Sequence, residues 1–355
     1  MKEGLGEYSI KGRGARLNPG NRFEAMHFEW DESVPPEERP SPKTLFLDDA
    51  SESIVSYNNS PDIPFGASVN PYRGCEHGCA YCYARPTHEY LGFSAGLDFE
   101  TKIMVKRRAP GLLRKALSAR KWKPQWVAMS GVTDPYQPVE RELKITRGCL
   151  EVLADFRNPV GIITKNRLVA RDADILGMMA ERRLCEVNLS VTSLDPNLAR
   201  AMEPRTSMPE ARIDAIATLA KAGVPVGVMV APVIPGLNDH EIPAILEAAS
   251  KAGARYASYV LLRLPLGVET IFSDWLQRTF PSKATKVESR LRDMRGGAMS
   301  SARFGERMKG QGVFADQIRT LFRVHAKRLG FNREKRDLNA SQFRRPGGTQ
   351  LEMAL

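Results

Sequence analysis

The strongest constraint on the fold of this chain is a repeated alternation between short apolar runs and amphipathic segments over residues 65–265. The apolar runs have the length of β-strands, and the segments between them place apolar residues at helical spacing. Because parallel strands are joined by helical crossovers, six such units predict an α/β fold built on a parallel sheet. The pattern fits a partial TIM-type (β/α)6 barrel and also a doubly wound sheet, since periodicity does not show whether the sheet curls.

The predicted strands and helices divide the chain into an arm, a core and an extension. The strands are ASVNPYR, QWVAMSGV, PVGIITKN, CEVNLSVTSL, PVGVMVAPVIPG and RYASYVLLRL. The helices between them are APGLLRKALSAR, RELKITRGCLEVLADF, RDADILGMMAERR, PEARIDAIATLAKAG and DHEIPAILEAASKAG. Before this 65–265 core, residues 1–64 read as an irregular arm with one strand-like patch, TLFLDDASESIVSY; after it, residues 266–355 read as a basic, mainly helical extension.

Three of the five cysteines lie close together in the segment NPYRGCEHGCAYCYARP. Cys75, Cys79 and Cys82 have the spacing CxxxCxxC, and Cys149 and Cys185 are far along the chain. A 4Fe-4S cubane is normally held by four thiolates, so a loop of three leaves one iron free to bind a small molecule. The other two cysteines are predicted to be small buried core residues.

A structural zinc site is the alternative interpretation of the same loop. Three cysteines with His77 or His88 would make a Cys3His set, which is common for tetrahedral zinc. The spacing favours the cluster, because zinc sites more often show two separated pairs of ligands. On the zinc interpretation the chain would be a zinc-stabilised nucleic-acid-binding protein without redox chemistry. A disulfide framework is not favoured, because the chain shows no secretory signal.

Polar residues cluster where the predicted strands end, which is where ligands bind in either fold. Individually such residues are also common as helix caps, so their co-location at one rim is the informative feature. The candidates are Ser130, Gly131, Thr133 and Asp134 after the second strand, Thr164 and Lys165 after the third, Ser190 and Thr192 at the fourth, and Glu203 and Arg205 shortly beyond it.

Several segments together resemble the radical SAM superfamily, which acts through S-adenosylmethionine (SAM). They are the cysteine motif with Tyr81 before its last cysteine, SGVTDPYQPVE, VTSLD, the EPR of AMEPRTSMPE, and APVIPGLND. The resemblance covers roughly residues 65–265 and is to the branch related to spore photoproduct lyase, and most of all to an uncharacterised bacterial family near it. It implies the partial barrel, a 4Fe-4S cluster, and SAM cleavage to a 5'-deoxyadenosyl radical that abstracts hydrogen from an unknown substrate.

The resemblance also implies roles for particular residues. Cys75, Cys79 and Cys82 would bind the cluster, Tyr81 would lie against the adenine or the cluster, and the polar residues at the rim would bind SAM. The lyase carries a hydrogen-donating cysteine at the end of its second strand, where this chain has Met129-Ser130-Gly131. Tyr136 and Gln137 are therefore the candidate catalytic residues, for substrate contact or a radical relay, with a role in the turn as the alternative.

The positive charge of the chain is concentrated near its C-terminus. The net charge is +11, and residues 281–355 hold 17 Lys and Arg against 7 Asp and Glu, a net +10. Such a region is typical of a DNA or RNA partner, and a solvated basic surface is the alternative. The resemblance further implies a reductant protein such as flavodoxin or ferredoxin.

The expected location is the cytoplasm, without a membrane partner. The chain starts without an apolar stretch of signal-peptide length, and its most apolar segment, residues 225–237, is short and contains prolines. Thiolate ligands of a cluster also require a reducing compartment.

Overall fold

The computed structural model describes residues 10–24, 42–129, 131–334 and 338–346. The strands in these ranges are β1 (Leu45–Asp48), β2 (Val55–Tyr57), β3 (Ala67–Val69), β4 (Tyr72–Arg73), β5 (Lys102–Val105), β6 (Val127–Met129), β7 (Val160–Thr164), β8 (Cys185–Ser190), β9 (Val226–Val233) and β10 (Tyr256–Leu261). The α-helices are α1 (Leu97–Thr101), α2 (Ala109–Ser118), α3 (Glu140–Leu143), α4 (Ile145–Phe156), α5 (Ala173–Ala180), α6 (Pro196–Met202), α7 (Pro209–Lys221), α8 (Ile242–Lys251), α9 (Val268–Thr279), α10 (Pro281–Asp293) and α11 (Gly312–Arg328). In the same ranges, 3-10 helices cover Arg85–Leu91, Arg167–Asp172 and Asp239–Glu241.

In the described ranges the main sheet has seven strands, in the order β10-β9-β8-β7-β6-β3-β2. The strands β3 and β6 to β10 are all parallel, and β2 pairs antiparallel with β3 at one edge. The parallel strands follow one another in chain order without the reversal of a doubly wound sheet. The predicted α/β fold, a partial TIM-type (β/α)6 barrel, is confirmed.

Alternation along the strands decides which side chains face the helices and which face the inside of the sheet. In β8 the thiol of Cys185 donates to the carbonyl of Leu176 in α5, so the odd-numbered residues face the helices. The even-numbered residues Glu186, Asn188 and Ser190 face the concave side and are buried. Both faces of β8 are therefore buried, although the side chains on its concave face are polar.

Part of the arm joins the core. The predicted strand-like patch forms β1 and β2, which belong to different sheets. In the described residues, β1, β5 and β4 form a small three-stranded sheet, and β2 extends the main sheet. The strand β5 and the helix α1 were not predicted, because they lie in the loop-like residues that follow the cysteine motif.

The described end of the chain runs along the amino ends of the parallel strands. The amide of Asn332 donates to the carbonyl of Arg255, just before β10, and that of Asn339 donates to the carbonyl of Arg183, just before β8. Arg344 continues this path, since its amide donates to the carbonyl of Phe156. This segment lies at the end of the sheet opposite the predicted ligand site.

No helix among the described residues is both long enough and apolar enough to cross a membrane.

Candidate functional site

The cysteine loop lies at the carboxyl end of β3, where it follows the short strand β4. Cys75 and Cys79 are buried, Cys82 is half-buried, and all three thiols are free. Gly74 and Gly78 have φ angles of +78° and +66°, so the loop uses backbone conformations that favour glycine. These turns bring the three cysteines together over a short stretch of chain.

The surroundings of the three thiols fit an iron–sulfur cluster. Burial raises the pKa of Cys75, and Asp134 and the neighbouring thiols of Cys79 and Cys82 raise it further. Burial also raises the pKa values of Cys79 and Cys82. The thiols are therefore protonated until a cation displaces the protons, as is usual for thiolate ligands. Three soft sulfur donors in a buried loop form a suitable ligand set for a 4Fe-4S cluster.

The histidines do not complete a zinc site. His77 Nε2 lies 3.3 Å from Asn166 Nδ2, and the ring of His88 packs against Phe93 and Phe99. Among the described residues, no three His, Cys, Asp or Glu side chains converge as ligands of a single metal ion. The zinc alternative is not favoured by these contacts.

A buried carboxylate, Glu203, joins four of the neighbouring elements at the rim. It accepts hydrogen bonds from the hydroxyls of Tyr81 and Thr192, the latter at 2.5 Å. Arg212 in α7 donates to its other oxygen, and Lys165 Nζ lies 3.0 Å from Oε1. The predicted candidates Tyr81, Lys165, Thr192 and Glu203 thus form one network beside the cysteine loop.

Electrostatics keep this network charged. Burial alone would raise the pKa of Glu203, but the guanidinium of Arg212 and the ammonium of Lys165 hold it well below its usual range. Burial, reinforced by Glu203, raises the pKa of Tyr81 well above its usual value, so the phenol stays a hydrogen-bond donor. Because two cations face one anion, the network carries surplus positive charge.

Asp134 is the centre of a second set of contacts. Its carboxylate accepts from Thr164 Oγ1 at 2.7 Å and from the amide of Lys165 at 2.8 Å. The Nδ1 atom of His77 lies 3.4 Å away, and Cys75 is close enough for Asp134 to raise the pKa of its thiol. The predicted residues Asp134 and Thr164 therefore connect the cysteine loop to the carboxyl end of β7.

Acidification should weaken the fold through this carboxylate. Burial alone would raise the pKa of Asp134, but His77 and the hydrogen bonds lower it. The stability that Asp134 contributes is therefore fully present above the pKa of about 4 that the group has in the unfolded chain. It is lost as the pH falls through the lower pKa of the folded state. We expect urea unfolding to show a decline in stability below about pH 5 that is shallower in Asp134→Asn. If the free energy of unfolding fell equally steeply with pH in the wild-type protein and in Asp134→Asn, this role of the Asp134 carboxylate would be contradicted.

Among the remaining candidates after β6, Gly131 contacts a tyrosine that was not predicted from the sequence. Tyr83 is 51% exposed, and its hydroxyl donates to the carbonyl of Gly131 at 3.2 Å. The hydroxyl of Thr133 donates to the carbonyl of Tyr72, and Ser130 lies outside the described residues. Tyr83 could have been predicted from the sequence, because it directly follows Cys82 in the loop of predicted cluster ligands.

Among the described contacts, the side chains of two candidates, Ser190 and Arg205, do not reach Glu203 or Asp134. Ser190 contributes its backbone carbonyl, which accepts from Arg212 Nη1 at 2.9 Å. Arg205 lies on the outer side of the cysteine loop, where its guanidinium is 3.5 Å from Glu76 Oε1 and 3.3 Å from Thr44 Oγ1. Their predicted role in SAM binding stays a prediction.

Tyr136 and Gln137 are fully buried and occupied by structural contacts. The hydroxyl of Tyr136 donates to Asp172 Oδ2 at 3.0 Å. Gln137 accepts from the amide of Glu76 at 2.9 Å and donates to the carbonyl of Gly74 at 3.3 Å. The catalytic role predicted for both residues stays a prediction, and their contacts favour the alternative, in which they support the turn and the cysteine loop.

Arg212 is the other residue that the sequence analysis missed. It lies in α7, an amphipathic helix in which an arginine looks like a solvent-facing residue. It is 1% exposed, and it connects α7 to the network around Glu203. No signal in the sequence distinguishes it from the other basic residues.

Comparison with known sequences gives one family and several relatives. A sequence profile of the Radical SAM superfamily matches residues 69–249. An uncharacterised protein of Mycobacterium tuberculosis is 37% identical over 238 residues, which are 66% of this chain and 69% of that protein. An uncharacterised protein of Methanocaldococcus jannaschii is 30% identical over 213 residues, 60% of this chain and 76% of that protein.

Comparison with solved structures gives a similar fold. Spore photoproduct lyase complexed with dinucleoside spore photoproduct superposes with a TM-score of 0.56, over 81% of this chain and 80% of that chain. The sequence identity is 15%, so the match concerns the fold alone.

Proposed function

Because the chain belongs to the radical SAM superfamily, we propose that it is an enzyme that cleaves SAM reductively at a 4Fe-4S cluster. Enzymes of this superfamily use the cluster and SAM, and together they supply a 5'-deoxyadenosyl radical that abstracts a hydrogen atom from the substrate. The observation that carries the proposal is the set of three free thiols, Cys75, Cys79 and Cys82, on one loop at the carboxyl edge of the sheet. With three protein ligands, one iron is left for SAM.

We assign SAM binding to the side chains that surround this loop. The surplus positive charge of Lys165 and Arg212 suits the carboxylate of the methionine moiety. Lys165 can reach it, since its side chain is 16% exposed whereas Glu203 is fully covered. The assigned residues are Tyr81, Gly131, Thr133, Asp134, Thr164, Lys165, Thr192 and Glu203.

Anaerobic reconstitution tests the proposed chemistry. The purified chain should bind about four irons, and the reduced cluster should change its electron paramagnetic resonance spectrum when SAM is added. Incubation with SAM and dithionite should then release 5'-deoxyadenosine. Zinc as the main bound metal, or intact SAM after prolonged reduction, would exclude this function.

The identity of the substrate is the finer part of the proposal, and we infer a nucleic acid. The solved lyase with a similar fold was complexed with a dinucleoside, and the C-terminal region of this chain carries a net charge of +10. Arg344 and Arg345, near the end of the described residues, donate to backbone carbonyls of Asp155 and Ala119 at the amino ends of the strands. Phosphate contacts are therefore assigned to other residues of this region.

A cleft of about 490 Å³ beside the rim offers such residues. It is lined by Lys286 and Arg290 from α10, by His240, and by the ring of Phe314, which lies 5.0 Å from the guanidinium carbon of Arg290. Asp239 also lines the cleft and lies 3.5 Å from Arg290, so Lys286 supplies the cation that has no carboxylate partner among the lining residues. The loop that carries His240 is joined to the rim, because Asn238 Nδ2 donates to the carbonyl of Thr192 at 2.7 Å. Cationic and aromatic side chains together suit phosphates and bases.

The salt dependence of binding tests this assignment. We expect the Lys286→Ala, Arg290→Ala double variant to bind single-stranded DNA or RNA more weakly. The slope of the logarithm of the binding constant against the logarithm of the salt concentration should be shallower by about 1.4. The matched control neutralises Lys121 and Lys123, two exposed lysines before β6 at the opposite end of the sheet. Equal slopes for the two double variants, measured by fluorescence anisotropy, would contradict a phosphate site in the cleft.

The proposed reaction also needs an electron donor and a reducing compartment. We propose a small reductant protein such as flavodoxin or ferredoxin as the donor. The requirement for free thiols supports a cytoplasmic location.

A further inference from the structure

We propose that residues 10–18, named here the strap, are a positioning element that holds the cysteine loop in its cluster-binding conformation and limits solvent access to it. This inference goes beyond the reaction proposed above. It concerns how the loop is held, and it rests on contacts among Gly14, Glu100, Arg85 and the loop backbone.

The cysteine loop depends on other elements for its hydrogen bonds. It contains no helix or strand between Gly74 and Ala84, so apart from the bond from the amide of Cys82 to the carbonyl of Cys79 its backbone groups use partners from outside. The guanidinium of Arg85 supplies two of these bonds, from Nε at 3.2 Å and Nη2 at 2.8 Å, to the carbonyl of Cys79. The position of a cluster ligand is thereby tied to Arg85.

Arg85 is held in turn by Glu100, and the strap completes the surroundings of that carboxylate. Both side chains are fully buried, and Arg85 Nη2 lies 2.5 Å from Glu100 Oε1. The amide of Ala15 donates to Oε1 at 2.8 Å and that of Gly14 to Oε2 at 3.1 Å. A buried ion pair needs such additional donors, because removal from water leaves its lone pairs unsatisfied.

The strap also touches the loop directly, and only glycine fits at the contact. A Cβ atom on Gly14 would lie 1.8 Å from the carbonyl oxygen of Gly78 and 2.9 Å from the amide nitrogen of Ala80. A Cβ on Gly78 would in turn lie 2.8 Å from Glu100 Oε2. The two backbones therefore pack against each other without an intervening side chain.

Anchors on both sides fix the strap against the core. Arg13 donates to the carbonyls of Glu100 and Pro42 and to Thr44 Oγ1, at 2.9 to 3.1 Å. On the other side, Arg16 pairs with Asp274 in α9 at 2.8 Å. The strap thus crosses the outer side of the cysteine loop as a fixed segment of the fold.

Labelling of thiols in the cluster-free protein tests the strap without relying on the reaction. We expect Gly14→Ala to raise the iodoacetamide labelling rates of Cys75 and Cys79 about tenfold or more, because the strap detaches and the loop opens locally. Arg13→Ala, which removes the anchor without a steric clash, should do the same to a smaller degree. The matched control is Gly111→Ala, since nothing lies within 4 Å of a Cβ added at Gly111.

The internal cysteines distinguish local opening from general loosening. Cys149 and Cys185 lie in the core, so their labelling should not change in any of the variants. Reconstituted Gly14→Ala and Arg13→Ala should also lose cluster absorbance to a chelator faster than Gly111→Ala. Loop labelling equal to that of Gly111→Ala in both strap variants would overturn the proposal, and so would an equal increase at all five cysteines.

Discussion

Replacement of Cys75, Cys79 or Cys82 by alanine is expected to abolish both iron binding and SAM cleavage. Each thiolate would bind a different iron, so loss of one leaves two protein ligands on a cluster that already has an open iron. Iron and sulfide analysis after anaerobic reconstitution, followed by measurement of 5'-deoxyadenosine, checks both effects. The expected result is a reduction to background in each of the three variants.

Cys149→Ala and Cys185→Ala are the matched controls for this experiment. Both thiols are buried away from the loop, and the thiol of Cys185 donates to the carbonyl of Leu176. Burial raises the pKa of Cys185 to about 12, which is typical of an inert core cysteine. These variants should keep the cluster and lose roughly 1 kcal/mol of stability through the small cavity. A requirement for either residue in iron binding would contradict the three-ligand loop.

Arg212→Met is expected to lower the free energy of unfolding by about 3–5 kcal/mol, because it leaves the buried carboxylate of Glu203 without its closest cation. Arg212 also donates to the carbonyl of Ser190 at 2.9 Å and to that of Ser207 at 2.7 Å. Its loss therefore affects the ends of β8 and α7 together. Urea unfolding at neutral pH measures the change.

Arg114→Met supplies the comparison for this prediction. Arg114 pairs with Asp155 at 2.6 Å, but both side chains are about half exposed, so its loss should cost about 0–1 kcal/mol. The Arg212→Met, Glu203→Gln double variant should recover part of the loss, since the fully buried carboxylate that lacked its guanidinium is then gone. If Arg212→Met lowered the free energy of unfolding no more than Arg114→Met does, the buried pair of Arg212 and Glu203 would not be needed for stability.

The core of the fold was predictable because its signals are local. Apolar runs such as PVGIITKN became β7, and Gly223 and Gly253, with φ angles of +78° and +96°, follow α7 and α8 as predicted. The loop of three cysteines was equally visible, because its ligands lie within eight consecutive residues. Periodicity and close spacing can be identified in the sequence without knowledge of the tertiary structure.

The contacts of long polar side chains were not predictable in the same way. Gln137 looked like a residue near the substrate, yet it bonds to the backbone of the cysteine loop. The basic C-terminal region looked like a nucleic-acid contact, yet Arg344 and Arg345 within it bond to carbonyls at the opposite end of the sheet. A long side chain at a strand end or in a tail can reach several partners, and only the packing of distant segments selects one.

By itself, the sequence determined the parallel α/β core and the loop of Cys75, Cys79 and Cys82, since both depend on residues that are near one another in the chain. Only the tertiary structure decided that Glu203 joins Lys165 to Arg212, and that Gly14 meets Gly78 across 64 positions of the sequence. These contacts depend on burial and on the removal of charges from water, which are properties of the folded molecule rather than of any single segment.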